Sequence, residues 1–376
     1  MTRAPPIAAV PTARGARLVS IASAVSTALP ATASTTSVSR RGAPMTMRNV
    51  LALVALSRCR VLLLVTLALL VASKAESDQP NCTSAWSEPV NLGPPVNSSS
   101  FDSAATLSPD GLSLYFVSRR QPGGKGLTDI WVSQRDCADC PWEEPFDLAV
   151  VNSAAEDGGP SLSTDGHLLF FHSSRPGGHG GVDIWMSRRD NPNDDFGWQP
   201  PTNLGPDVNT KESEFVPDYI QSADFYLERS GHVPADAAAL YFSRGLDLNN
   251  QDIWTVPITR NGETLGPAVR VDVLNSPAND ASPSVRTDGR EILFWSNRPG
   301  GFGFGDIWVS TRRNAHEPWS TPENVGPPVN TAVNDVRPNL SRSGRTLLFD
   351  SNRPGGLGDQ DIWMSIRMPG CRQDNR

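Results

Sequence analysis

The chain has 376 residues, and glycine and proline together contribute 64 of them, whereas only 19% of the residues are charged. So many turn-forming residues with so little charge exclude a coiled coil or a helical bundle. Residues 1–75 hold nine basic residues and no acid, so residues 76–376 carry 24 basic against 40 acidic side chains, and an acidic surface without a basic stripe argues against nucleic acid as a partner.

The first 75 residues predict an export segment. Residues 1–44 show no apolar periodicity and are expected to be disordered. An apolar run follows at residues 61–72, and Ser73 and Ala75 place small residues where a signal peptidase cleaves. This run of about 12 residues is too short for a ~30 Å hydrocarbon core. We therefore expect a cleaved signal peptide, a mature form without a membrane span, and a secreted, periplasmic or envelope-associated protein.

The rest of the chain is built from five copies of one motif. The tripeptide Asp-Ile-Trp begins at Asp129, Asp183, Asp252, Asp306 and Asp361. A short apolar run that ends in phenylalanine precedes each copy, at Phe116, Phe171, Phe242, Phe294 and Phe349. A Ser-x-Arg-Pro-Gly-Gly-type loop lies between the two, most clearly at residues 296–301 and 351–356. Short apolar runs bounded by Asp-Gly turns and glycine-rich loops are typical of antiparallel strands.

Each repeat of about 55 residues predicts four antiparallel strands, which is one blade of a β-propeller. The fourth strand begins near Trp142, Trp198, Leu265 and Trp319. The chain ends before a fifth copy, and residues 86–93 offer an equivalent strand that would close the ring. We predict an all-β, five-bladed propeller over residues 76–376. Its repeats lie near residues 101–149, 155–205, 213–271, 279–326 and 334–367, the last completed by residues 86–93.

These repeats resemble the WD-repeat-like β-propeller repeats of TolB-type proteins and of envelope proteins that carry OmpA-like domains. The resemblance rests on residues 169–178 with the Asp-Ile-Trp at 183–185 and on the four other copies, and it covers residues 86–367. It implies a propeller that scaffolds binding. The chain lacks the OmpA-like domain and the separate N-terminal domain of TolB, so the functions of those domains are not carried over.

Two sets of charged residues recur with the repeat. The arginine of each loop stands at Arg120, Arg175, Arg298 and Arg353, with Arg244 a looser match. An acid precedes each first strand, at Asp102, Asp157, Glu214, Asp280 and Asp335. Because the loops that carry them open on the same face of a blade, we expect the two rings to meet. They either hold the loops in place as charge-assisted pairs or form a charged rim that binds a ligand at the channel mouth.

Other positions give further candidates. The residue after each apolar run varies between repeats, so Trp295 and His172 are also candidate ligand contacts. Nine of the ten tryptophans stand at repeat positions, which predicts packing between blades. The aspartate of each Asp-Ile-Trp is expected to accept backbone N–H groups of the preceding glycine-rich loop. In the third repeat, residues 218–239 replace the Asp-Gly hairpin, which indicates loop drift or a functional insertion.

The cysteines are predicted to form two disulfides in an exported protein. Cys82 and Cys371 occupy neighbouring positions of the repeat register and are expected to latch the ring where it closes. Cys137 and Cys140 form a Cys-x-x-Cys pair in the first repeat, where no further zinc ligands are near.

The pattern favours a monomeric secreted or envelope propeller that binds a protein or glycan ligand. The alternative is a glycoside hydrolase-like propeller, which needs two carboxylates ~5 to 9.5 Å apart. The acids noted above recur in every blade, whereas a catalytic set is expected to break the symmetry. No cofactor is indicated, except that calcium is conceivable at an acidic stretch whose spacing does not match an EF-hand loop. That stretch consists of Asp190, Asn193, Asp194 and Asp195.

Overall fold

The computed structural model describes residues 85–221 and 237–369. Over these residues it forms five four-stranded antiparallel sheets, which confirms the predicted five-bladed propeller. The first strand along the chain is β1 (Val90–Asn91). Blade 1 consists of β2 (Asp102–Leu107), β3 (Ser113–Ser118), β4 (Asp129–Gln134) and β5 (Phe146–Asp147). Blade 2 consists of β6 (Asp157–Leu162), β7 (Leu168–Ser173), β8 (Asp183–Arg188) and β9 (Thr202–Asn203).

The remaining blades repeat this order. Blade 3 consists of β10 (Ser213–Ile220), β11 (Ala237–Gly245), β12 (Gln251–Thr259) and β13 (Val269–Arg270). Blade 4 consists of β14 (Asp280–Val285), β15 (Glu291–Ser296), β16 (Asp306–Thr311) and β17 (Glu323–Asn324). Blade 5 takes β18 (Asp335–Leu340), β19 (Thr346–Ser351) and β20 (Asp361–Ile366), and β1 completes it. The described ranges contain no helix long and apolar enough to cross a membrane.

The ring closes because β1, near the N-terminal end of the described residues, pairs with β20 near their C-terminal end. In β1, Val90 lies opposite Met364 and Asn91 lies opposite Trp363, in antiparallel register. This pairing confirms the prediction that an N-terminal strand completes the last blade, which leaves that blade without an unpaired outer edge at β20. The Cys137–Cys140 disulfide is formed, with 5.0 Å between the Cα atoms. The leader at residues 1–75 and the predicted Cys82–Cys371 pair lie outside the described residues.

The hydrophobic core is divided into five clusters, each between two neighbouring blades. The cluster between blades 5 and 1, for example, brings Phe116 and Trp131 against Leu348 and Ile362. Full burial of such a side chain contributes about 1.5–3 kcal/mol. The recurring tryptophans therefore do what the sequence indicated, since they pack one blade against the next.

The glycine-rich loops close onto the aspartate of each Asp-Ile-Trp. Asp183 accepts hydrogen bonds from the backbone N–H groups of His179 and Gly180, and Asp129, Asp306 and Asp361 accept equivalent bonds. A Cβ on Gly180 would stand 2.2 Å from a carbonyl oxygen of the next blade, so only glycine fits there.

Two features of the fold differ from the sequence expectations. Asp252 of the third repeat pairs with Arg270 rather than with a glycine-rich loop. The irregular segment of that repeat is also shorter than residues 218–239, because Asp218–Ile220 belongs to β10 and Ala237–Ala239 belongs to β11.

Five asparagines that the sequence analysis did not identify hydrogen-bond to the backbone of the third strands. Asn330 donates to the carbonyl of Ile307 and accepts from its N–H group, at 2.8 Å each. The same pair of bonds links the isoleucine of every Asp-Ile-Trp to Asn97, Asn152, Asn209, Asn275 or Asn330. Each asparagine thereby satisfies buried backbone groups beyond the end of a short outer strand.

Candidate functional site

The recurring arginines and acids meet in pairs, as the sequence indicated. The pairs are Arg120–Asp102, Arg175–Asp157, Arg244–Glu214, Arg298–Asp280 and Arg353–Asp335. The side chains of all five acids have 0% exposure. Each guanidinium also donates to a carbonyl of the loop before its blade, as Arg175 does to Val151, and it lies over the tryptophan of its own Asp-Ile-Trp. These charges are thus engaged inside the blades, and the acids present no surface to a ligand.

The two other candidates, Trp295 and His172, both line a cavity of about 310 Å³ at the mouth of the central channel. We call this cavity the channel mouth. Its wall is built from repeat positions at which the five blades carry different residues. One of these is the position after each buried phenylalanine, which holds Val117, His172, Ser243, Trp295 and Asp350. Of these five residues, Val117, His172 and Trp295 line the cavity. The five-fold repetition of the fold is therefore broken where the blades converge.

A β-bulge in each innermost strand shapes this wall. Every first strand shifts register once against its second strand, and the bulged residue has a φ between 44° and 59°. These residues are Ala104, Gly159, Val216, Ser282 and Arg337. Four of the five are not glycine, and a positive φ at such residues is a strain that concentrates at functional sites.

The bulges turn backbone N–H groups towards the preceding blade. Val216 donates to Nδ1 of His172 at 3.2 Å, and Ser282 donates to Oγ of Ser243 at 2.8 Å. Ala104 donates to the carboxylate of Asp350 at 2.9 Å. The residues that break the symmetry thus also link neighbouring blades.

His172 is held as a neutral acceptor. The side chain is 8% exposed, and burial together with the charge of Arg337 lowers its pKa to about 3. A Cβ on Gly158 or Gly159 would stand 2.9 or 2.7 Å from the ring. Only glycine lets strand β6 pass this close to the imidazole.

Asp350 lies one layer behind the wall of the channel mouth. Burial raises its pKa to about 7, against the opposing effect of Arg337. The Arg337 guanidinium lies 3.4 Å from this carboxylate and 3.3 Å from Oε1 of Gln360. Arg337 lines the cavity, so Asp350 helps to position a side chain that a ligand can reach.

Two guanidinium groups gather around one aromatic ring of the channel mouth. The Arg119 carbon Cζ lies 4.8 Å from the centre of the Phe101 ring, and that of Arg337 lies 5.8 Å from it. Arg119 is exposed and lines the cavity, and within the described part of the chain it takes part in no salt bridge. Its charge is available to a ligand.

Glu156 provides the one carboxylate on the wall among the described residues. Its backbone is fixed by a bridge to Thr128 and by a hydrogen bond from its N–H to Oγ of Ser174. The side chain is half-buried, and it forms no salt bridge within residues 85–221 and 237–369. A free carboxylate at a cavity wall can donate or accept a proton at a bound ligand.

Two buried polar atoms on the same wall lack partners. Thr128 and Gln251 are each 4% exposed, and over the described residues Thr128 Oγ1 and Gln251 Nε2 make no hydrogen bond. Both residues line the channel mouth, and each immediately precedes an Asp-Ile-Trp. Leaving a buried donor unsatisfied costs about 1–3 kcal/mol, so these atoms are suited to bind a polar ligand.

The acidic stretch considered for calcium is used differently. Asp195 accepts hydrogen bonds from Ser113 and Arg189, at 2.6 Å each, and from Tyr115. These donors lower the pKa of Asp195 against the effect of its burial. In the ranges that the structure describes, no group of three or more acidic, histidine or cysteine side chains is arranged to hold a metal ion.

A second, larger cavity of about 640 Å³ lies between blades 3 and 4. It is lined by Leu265, which stands in place of a fourth-strand tryptophan, and by Trp319. Its Arg270 is committed to Asp252 and Asp272. We assign function to the channel mouth instead, because polar atoms without partners and a free carboxylate converge there.

Sequence reasoning identified Trp295 and His172 but missed the other groups of the channel mouth. Those groups are Phe101, Arg119, Thr128, Glu156, Gln251 and Arg337. A signal for two of them, Phe101 and Glu156, was present, because the residue just before each recurring acid varies between repeats. Before the first strands the series reads Phe101, Glu156, Ser213, Asn279 and Asn334.

No protein-family model matches the chain, and no curated protein matches it in sequence. Its fold is similar to an α-L-arabinofuranosidase from Podospora anserina solved with cellotriose, at 12% identity and a TM-score of 0.50, over 77% of this chain and 98% of that one. A glycoside hydrolase family 62 domain from Coprinopsis cinerea shares 10% identity at a TM-score of 0.47, over 76% and 97%. A TolB-like protein from Agrobacterium tumefaciens shares 17% at 0.40, over 72% and 84%.

These similarities show the five-bladed fold, and they do not establish the TolB-type family that the repeats resemble. They also correct the leading functional expectation from the sequence. We expected a binding scaffold, but the similar propeller with a TM-score of 0.50 is an α-L-arabinofuranosidase, which is a glycoside hydrolase. The expectation went wrong because the recurring acids are internal to the blades, so their symmetry carries no information about catalysis.

Proposed function

We propose that the protein binds a glycan in the channel mouth and hydrolyses a glycosidic bond there. The observation that carries this proposal is the loss of five-fold symmetry at the mouth, where a free carboxylate, unpartnered donors and aromatic rings converge. The arabinofuranosidase with the same fold was solved with cellotriose, which supports a sugar as the type of ligand.

The wall offers the two kinds of contact that sugars require. Phe101, Phe215 and Trp295 present aromatic surface to the cavity, and the apolar faces of a sugar ring pack against such surfaces. Thr128 and Gln251 add polar residues to this wall, and their buried Oγ1 and Nε2 atoms have no partner among the described residues. The cavity of about 310 Å³ is at the small end of ligand sites, so it accepts the end of a glycan rather than a long stretch of chain.

Glu156 is the candidate catalytic residue, because it is the one carboxylate on the cavity wall among the described residues. A single acid–base carboxylate departs from the two-carboxylate arrangement common in glycoside hydrolases. In its protonated form Glu156 gives a proton to the leaving oxygen as the bond to the anomeric carbon breaks. It then accepts a proton from the water that adds to the anomeric carbon, which regenerates the acid. Asp350 does not reach the cavity wall and acts through Arg337 as a positioning residue.

The test is hydrolysis of a panel of aryl glycosides and oligosaccharides by the full chain and by Glu156→Gln. Removal of a general acid–base group lowers kcat about 10²–10⁴-fold, and we expect a loss of this size with little change in the unfolding midpoint. Glu323→Gln, an exposed acid on β17, is the matched control and is expected to keep full activity.

Two results would overturn the proposal. One is the absence of hydrolysis and of binding for every glycan tested. The other is hydrolysis that Glu156→Gln leaves intact, since the activity would then belong to another site.

A further inference from the structure

We propose that the channel mouth selects a sugar that carries a carboxylate, such as a uronic acid residue. This inference rests on the proposed function, because it names the substrate class of the same site. It starts from the charges on the wall, which are opposite in sign to those of the rest of the chain.

The wall carries more positive than negative charge. Arg119 and Arg337 both line the cavity, whereas Glu156 is the one wall carboxylate among the described residues. Burial raises the pKa of Asp350, the carboxylate behind Arg337, so it does not fully offset the charge of that arginine near neutral pH. Outside the leader, the chain has 24 basic against 40 acidic residues. The channel mouth is therefore positively charged although the chain outside the leader is acidic. A local positive charge of this kind favours the binding of an anion.

The geometry suits a carboxylate rather than a diffuse charge. Both guanidinium groups lie close to the Phe101 ring, with Cζ at 4.8 and 5.8 Å from its centre. Both also line the same cavity, so a carboxylate bound there has planar guanidinium donors on the wall, which are the donors that pair with carboxylates most strongly. The interactions that already hold Arg337, at 3.4 and 3.3 Å, are long and leave room for a closer partner.

The unpartnered donors give an independent indication of a polar ligand. Gln251 Nε2 and Thr128 Oγ1 are buried at the same wall and lack hydrogen bonds within the described residues. A uronic acid fits both features, because its hydroxyl groups meet these donors while its carboxylate meets the arginines. A simple anion such as phosphate would leave the aromatic surface of Trp295 uncovered.

The experiment compares two ligands that differ only at C6. Methyl β-D-glucuronide and methyl β-D-glucoside are titrated against the full chain at low salt, with tryptophan fluorescence and saturation-transfer NMR as readouts. We expect the glucuronide to bind at least tenfold more tightly, a ratio typical of a charge-assisted pair. The preference is expected to decrease as salt is added.

Substitutions of Arg119 test whether this side chain causes the preference for the glucuronide. Arg119→Gln, at an exposed side chain that leaves the fold intact, is expected to reduce the preference about tenfold, and Arg119→Lys is expected to retain part of it. Arg313→Gln removes an exposed charge whose salt-bridge partner among the described residues is Glu317. It is the matched control and is expected to change nothing.

The outcomes separate this inference from the proposed function. Equal binding of the two sugars would refute carboxylate selection and leave glycan binding intact. A glucuronide preference that survives in both Arg119→Gln and Arg337→Gln would place the anion elsewhere and also refute the inference. If neither sugar binds and no acidic or neutral glycan is hydrolysed, the proposed function fails together with it.

Discussion

Replacement of Asp218 tests how the inner strands are held together. Asp218 lies on β10, and its carboxylate accepts a 2.7 Å hydrogen bond from the N–H of Val285 in the next blade. Burial raises its pKa to about 7, and this one hydrogen bond opposes the shift. In the equivalent positions of blades 2 and 4, Ser161 and Ser284 accept the same inter-blade bond. An uncharged acceptor is therefore sufficient at this position.

The raised pKa makes the folded state less stable as the carboxylate ionises. An aspartate in an unfolded chain titrates near about 3.9, and each unit of difference corresponds to about 1.36 kcal/mol. The pKa of about 7 in the folded state is higher than that in the unfolded chain. The stabilising contribution of the protonated Asp218 is therefore fully present below the unfolded pKa and is lost as the pH rises to the folded pKa. The loss amounts to at most about 4 kcal/mol, of which about 2–3 kcal/mol falls between about pH 5 and pH 8.

The assay is urea unfolding of the full chain, Asp218→Asn and Asp218→Ser at several pH values between about 5 and 8. The free energy of unfolding of each variant, measured relative to that of the original chain, is expected to increase by about 2–3 kcal/mol between about pH 5 and pH 8. The pKa of Asp350 is also raised to about 7. Because Asp350 is present in every protein compared, its pH-dependent contribution cancels in the difference. A difference that does not change with pH would refute the reasoning, because Asp218 would then ionise alike in the folded and unfolded states.

Two further changes probe the blades and the channel mouth. Arg175→Ala leaves the fully buried Asp157 without its positively charged partner, so we expect a loss of about 3–5 kcal/mol in urea unfolding. The exposed Arg313→Ala is expected to cost less than about 1 kcal/mol, and equal losses would contradict the structural role of the buried pair. Gly158→Ala places a Cβ 2.9 Å from the His172 ring and is expected to cost about 1–3 kcal/mol in the same assay. An unchanged midpoint would show that β6 can move away from the imidazole.

The architecture could be predicted from the sequence because each element carries its own local signal. Asp-Ile-Trp marks every third strand, and Trp86 showed by its place in the repeat that a strand was available to close the ring. The pairing of Arg175 with Asp157 was also expected, since both recur and the loops that hold them open on one face. These features depend on contacts within a blade or between neighbouring blades.

The channel mouth could not be predicted in the same way. Arg119 and Arg337 are more than 200 residues apart in sequence, and they meet at Phe101 only because the ring closes. The repeat pattern draws attention to residues that recur, whereas Glu156 differs from its counterparts in the other blades. The positive φ of Arg337 is also invisible in the sequence, because nothing marks the bulge that turns this side chain into the cavity.

A crystal structure of Glu156→Gln soaked with an acidic and with a neutral oligosaccharide tests the central claim most directly. The variant is expected to bind sugar without cleaving it. We predict electron density for a sugar ring in the channel mouth, packed on Trp295 and hydrogen-bonded to Gln251. Sugar bound only in the cavity between blades 3 and 4, or an empty channel mouth at saturating ligand, would contradict the account.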